Sequence, residues 1–119
     1  MGRRGRRRGQ GEPLAAPTSD YADSEGNVLT LRGALSPATR REYAATLGGS
    51  PLSREDAWQR AVELLFERLA VRWTVAGLAI ERQQELLGRL RFASTAERAW
   101  IRGVLREHLA EHFPDLEAP

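Results

Sequence analysis

The chain has 119 residues, 41% of them hydrophobic, and a formal net charge of +2, which fits one folded domain with enough apolar side chains to form a core. No cysteine is present, so disulfides and thiolate-bound metals are excluded. No apolar run reaches the roughly 18 to 20 residues of a membrane span; the longest, Leu69 to Ile80, is broken by Arg72 and Gly77, so no membrane partner is expected.

All 18 basic residues are arginine. With abundant Ala, Leu and Gly, this fits the codon bias of a GC-rich genome, in which arginine is the default cation rather than a mark of phosphate binding. The charge is unevenly placed. Residues 1–11 carry Arg3, Arg4, Arg6, Arg7 and Arg8 and no acid, so the remainder of the chain has a net charge of −3. No apolar segment follows these arginines, since Gln10, Gly11, Glu12 and Pro13 come next. The N-terminus therefore does not read as a secretory signal, and cytoplasm is the expected location.

In chain order, residues 1–24 have the composition of a disordered arginine-rich tail, and residues 25–119 are read as a helical domain. Residues 27–33 alternate weakly and are read as a short extended segment, because a lone strand has no partner. Ser36 before Pro37 is an N-cap with proline at the first helical position; this helix is expected to run from Pro37 to Thr46 and to stop at Gly48-Gly49-Ser50-Pro51. Ser53 caps a long second helix with Glu55 and Asp56 in its first turn. Trp58, Ala61, Val62, Leu65, Leu69, Trp73 and Ala76 follow three-and-four spacing, so that helix is expected to reach Gly77. A third helix is expected from Ala79 to Arg91, with Glu85 and Arg89 as an i,i+4 ion pair. Ser94-Thr-Ala-Glu97 is a capping box that opens a fourth helix, closed by Phe113-Pro114. The expected fold is all-α: a compact bundle of three to four helices with Trp58, Trp73 and Trp100 facing its core.

Three patterns bear on chemistry. His108-Leu-Ala-Glu-His112 has the H-x-x-E-H order of inverted zinc peptidases, with the two histidines on one helix face and Glu111 placed as a general base. Such a site needs a further ligand downstream, and Asp115 and Glu117 lie too close to complete it. Histidines in a last turn also complement the negative end of the helix dipole, and no metal or other cofactor is assigned. Arg3, Arg4, Arg6, Arg7 and Arg8 resemble arms that contact nucleic-acid phosphates, with no interleaved aromatic for base stacking. Arg98, Arg102 and Arg106, at i, i+4 and i+8, form a stripe on the last helix that suits phosphates, an acidic partner or plain solvent. A helix-turn-helix with its turn at Arg91–Ser94 is disfavoured, because the following helix opens with Thr95, Ala96 and Glu97.

Catalysis has little footing. Gly9-Gln10-Gly11 lies in the tail rather than between a strand and a helix, and Glu63 and Glu67 share a helix face without a Glu-x-x-His partner. The expectation is a small non-enzymatic protein-interaction module that binds another protein or itself. Its motive is a broad apolar face on the second helix. The alternative is nucleic-acid binding through the tail, aided by Arg98 and Arg102.

Overall fold

The computed structural model describes residues 16–48 and 53–119. Its elements are β1 (Thr18–Ala22), β2 (Val28–Arg32), α1 (Pro37–Gly48), α2 (Arg54–Leu69), β3 (Ala70–Val75), β4 (Leu78–Ile80), α3 (Gln83–Arg91) and α4 (Thr95–His112). The fold is α+β, with 55% of the described residues in helix and 19% in strand, which overturns the all-α bundle. Residues 18–22, assigned by composition to the tail, form the first strand. The extended segment at 27–33 is a strand after all, and it has two partners.

The sheet has the order β1-β2-β3-β4 and is antiparallel throughout. Two local hairpins build it. In the first, Asp23 accepts the backbone N–H groups of Glu25 and Asn27, and Gly26 takes the positive φ of 85° that closes the turn. In the second, Ala76 and Gly77 both have positive φ, 52° and 82°, the signature of a two-residue type I′ turn. Asn27 joins the turns by accepting the Ala76 N–H at 2.9 Å. The central pair, β2 with β3, forms only after α1 and α2 have brought β3 back beside β2, and Val71 is an extra residue where its register shifts.

Three of the expected helix starts hold. The Ser36 hydroxyl accepts the Thr39 N–H at the head of α1, and Ser53 accepts that of Asp56 at the head of α2. The Ser94–Glu97 capping box is complete at the head of α4. The helix ends differ. The second helix stops at Leu69, where Ala70 turns extended and its N–H still bonds to the Phe66 carbonyl. The strand follows with no loop. Val71, Thr74 and Val75 are β-branched and Trp73 is aromatic, residues that favour a pleated surface. The third helix starts at Gln83 rather than Ala79, because Leu78–Ile80 belongs to β4.

Period-two alternation gives the sheet two faces. Ser19, Tyr21, Leu29, Leu31 and Trp73 lie on the face that meets the helices. Asp20, Thr30, Arg72 and Thr74 lie on the other, where the Thr30 hydroxyl donates to Asp20 at 2.6 Å. The core joins Leu29, Leu31 and Trp73 to Leu65, Phe66 and Leu69 of α2, Leu86 and Leu90 of α3, and Ile101, Leu105 and Leu109 of α4. Trp73 is 2% exposed and meets Phe66 edge-to-face; Trp58 and Trp100 are only partly buried against the core. The apolar face of α2 is thus covered by the sheet and its neighbouring helices, which removes the patch that motivated a partner there. After α4 the chain folds back: Phe113 is buried, Tyr43 donates to the Glu117 carbonyl, and Arg106 donates to that of Pro119.

Candidate functional site

Among the described residues, two large apolar side chains are mostly exposed: Leu78 at the start of β4, at 73%, and Phe92 between α3 and α4, at 88%. Phe92 stands on a corner that the backbone holds firmly. Its N–H bonds to the Gly88 carbonyl, and the Ala93 N–H bonds to that of Leu90. The Arg98 guanidinium reaches back from the first turn of α4 to the carbonyls of Arg91 and Ala93, on either side of Phe92. The Glu97 carboxylate takes both Arg89 Nη groups, at 3.3 and 2.6 Å, so the ends of α3 and α4 are clamped together. Arg89 in turn lies over the Trp73 ring, 5.0 Å from its centroid. The expected Glu85–Arg89 pair is replaced: Glu85 lies 4.0 Å from Arg82 instead.

Beside this corner is a groove of about 330 Å³ lined by Asp56, Gln59, Arg60, Val62 and Glu63 of α2, Leu90 of α3 and Arg98 of α4. Arg91 spans its edge with an ion pair to Glu63 at 2.8 Å. That pairing raises the Arg91 guanidinium above its ordinary range through the hydrogen bond to Glu63 and its charge. Asp56 and Arg60 form no ion pair among the described residues. Val62 and Leu90 supply its apolar lining, and Asp56, Glu63, Arg60 and Arg98 give it both signs of charge.

Arg98 and Arg102, read as a phosphate-facing stripe with Arg106, are engaged within the fold. Arg98 holds the corner. Arg102 pairs with Glu55 at 2.9 Å and lies over Trp58, and Arg106 binds the Pro119 carbonyl. Arg3, Arg4, Arg6, Arg7 and Arg8 lie outside the described residues.

The histidine pair sits elsewhere, where α4 crosses β1 and β2. His108 is fully buried. Its Nε2 lies 2.9 Å from the Arg32 carbonyl, which can only accept, so Nε2 carries the proton. Its Nδ1 lies 2.7 Å from the Tyr21 hydroxyl and accepts from it. Both ring nitrogens are therefore committed, and no lone pair remains for a zinc ion. Burial holds the His108 imidazole below its ordinary range, with His112 adding to the effect and the Arg32 carbonyl opposing it. Burial likewise raises the Tyr21 phenol, helped by the charge of Glu111. His112 lies one turn on, with ring centroids 4.5 Å apart, and its Nε2 is 3.3 Å from the Ser19 hydroxyl. That contact has the elements of a serine–histidine pair, but His112 Nδ1 faces Gly33 rather than a carboxylate, which leaves the imidazole without the third group that orients a general base.

A second groove, about 270 Å³, lies where α2 passes into β3. Of its four charged lining side chains, Arg68 pairs with Glu42 and Glu81 with Arg72, while Gln83 donates to the Glu67 backbone carbonyl. No helix among the described residues is long and apolar enough to cross a membrane. Comparison with known protein families, curated proteins and solved structures finds no match.

Proposed function

We propose that this protein is a non-enzymatic, self-associating interaction module, and that a second copy docks at the α3–α4 corner. The observation that carries the reading is Phe92, 88% exposed yet held on a corner fixed by backbone bonds and by Arg98 and Glu97. An aromatic side chain on a fixed backbone has only two rotations to lose on docking, against a large apolar area to bury. The adjacent groove has room for an aromatic side chain and includes Val62 and Leu90 in its lining. Its rim is self-complementary, because Asp56 and Arg60 lie one turn apart on α2, form no ion pair among the described residues, and match Arg60 and Asp56 of a copy related by a two-fold axis. A closed dimer then places each Phe92 in the other copy's groove.

Sedimentation over a concentration series tests this on the full chain. Dimer formation that Phe92→Asp abolishes is expected. Asp56→Arg and Arg60→Asp are each expected to weaken homodimers, and mixing the two is expected to restore association. A protein that stays monomeric at several hundred micromolar overturns the self-docking reading.

A further inference from the structure

We infer that His108 is an acid-sensitive latch: its neutral imidazole ties the edge strand β1 to α4, and its protonation releases that strand from the helix. The inference rests on geometry. His108 is the one histidine of the chain that is fully buried, and it bonds both strands of the first hairpin at once, β1 through the Tyr21 hydroxyl and β2 through the Arg32 carbonyl. Among the described residues, β1 pairs in the sheet with β2 alone. Its side-chain bonds to α4 are Tyr21 to His108 and Ser19 to His112.

The neutral Nε2–H form satisfies every partner. Adding a proton at Nδ1 replaces the lone pair that the Tyr21 hydroxyl donates to, so that hydroxyl must leave or turn round. The new cation stays out of water, where an unpaired charge is costly. The surrounding groups give it little relief. From α4, His112 faces it and adds repulsion whenever it is charged, and the exposed carboxylate of Glu111, 4.0 Å from the His112 Nε2, opposes that repulsion. From β1 come Tyr21 and Ser19, both neutral. Beyond the Phe113 ring, Arg40 is paired with Asp115. Opening separates β1 from β2 as well as from α4, so the imidazole reaches water and the β2 edge, a template for strand pairing, is uncovered.

The ordinary histidine value, 6.5, describes the opened state. Because the closed state holds the imidazole below that value, the opening constant of β1 grows as pH falls from 7 to 5, by up to about 25-fold. Hydrogen exchange of the β1 amides, corrected for intrinsic rates and referenced to α2, is expected to show that increase. His108→Gln, which does not titrate, is expected to show none, and His112→Asn is expected to keep it. The inference fails if β1 protection is unchanged between the two pH values, or if His108→Gln responds as the parent does, which would assign the effect to a carboxylate such as Asp20. Nitrogen NMR of the parent decides the matter without any variant: a His108 ring that gains its proton while the β1 amides stay protected overturns the latch.

Discussion

Glu97 joins three parts of the molecule, and its removal should be felt in all of them. One oxygen accepts the Ser94 N–H at 2.9 Å, closing the capping box, and the carboxylate takes two donors from Arg89, which lies over Trp73. The Arg89 and Glu97 side chains are 27% and 32% exposed. Loss of half a capping box costs about 0.5–1 kcal/mol, and a two-pronged, half-buried arginine pair about 1 kcal/mol. Glu97→Ala is therefore expected to lose about 2 kcal/mol and to lower Tm by roughly 10 °C. Glu97→Gln, whose amide oxygen still accepts from Ser94, should lose about half of that. Urea unfolding followed by circular dichroism measures both, and a double-mutant cycle with Arg89→Ala should give a coupling near 1 kcal/mol. The pH dependence has a definite sign. The Arg89 hydrogen bond, and then the Ser94 amide, hold the Glu97 carboxyl below its ordinary value of 4.5. Its contribution is thus complete above that value and disappears as pH falls through the lower folded-state value. The gap between the parent and Glu97→Gln should stay constant from pH 8 to pH 5 and close below pH 4. A coupling below about 0.3 kcal/mol, with a gap that persists in acid, would refute the clamp.

Substitutions at two further positions probe local strain. Ala76 occupies the left-handed region in the β3–β4 turn, where a side chain with a Cβ costs about 1 kcal/mol. Asn tolerates that conformation and Asn-Gly is the favoured type I′ pair, so Ala76→Asn should gain about 0.5–1 kcal/mol and raise Tm by several degrees; a lower Tm would contradict the turn assignment. The Trp73 indole N–H is buried without an acceptor among the described residues. Trp73→Phe opens a space of about 40 Å³, costing about 1 kcal/mol, and relieves a penalty of about 1–3 kcal/mol, so the net change should be within about 1 kcal/mol. Trp73→Ala should lose about 3–5 kcal/mol, and equal losses for the two variants would show that the indole N–H is not the unsatisfied group.

The caps were legible because each is a local contract between a side chain and its own helix: Ser36, Ser53 and the Ser94–Glu97 box all act as their spacing implies. The sheet was hidden by a coincidence of spacing. Trp73 follows Leu69 by four residues and Ala76 follows Trp73 by three, so a strand continued the helical stripe with no glycine or proline between them. The contrary signals were the β-branched run at Val71, Thr74 and Val75 and the two-residue Ala76-Gly77 turn. In β1 a single large apolar residue, Tyr21, faces the interior, too little for composition to separate it from the tail. The candidate site was less legible still. Exposure of Phe92 is a tertiary fact, and the partners of Arg98 and Arg102 are backbone carbonyls and residues 47 positions away. The histidine pair was visible as a motif, whereas its burial and its strand partners were not.

The loopless passage from Leu69 to Ala70 limits how this gene can vary in length. Deleting one residue from α2 would turn the preceding helix by about 100° against β3, and one inserted into β3 would send Trp73 to the opposite face of the sheet. Neither change has slack nearby to absorb it. Insertions and deletions among descendants of this sequence should therefore spare the span from Arg54 to Val75 and collect in connections such as residues 33–36, which makes gap placement a readable record of where the fold is rigid.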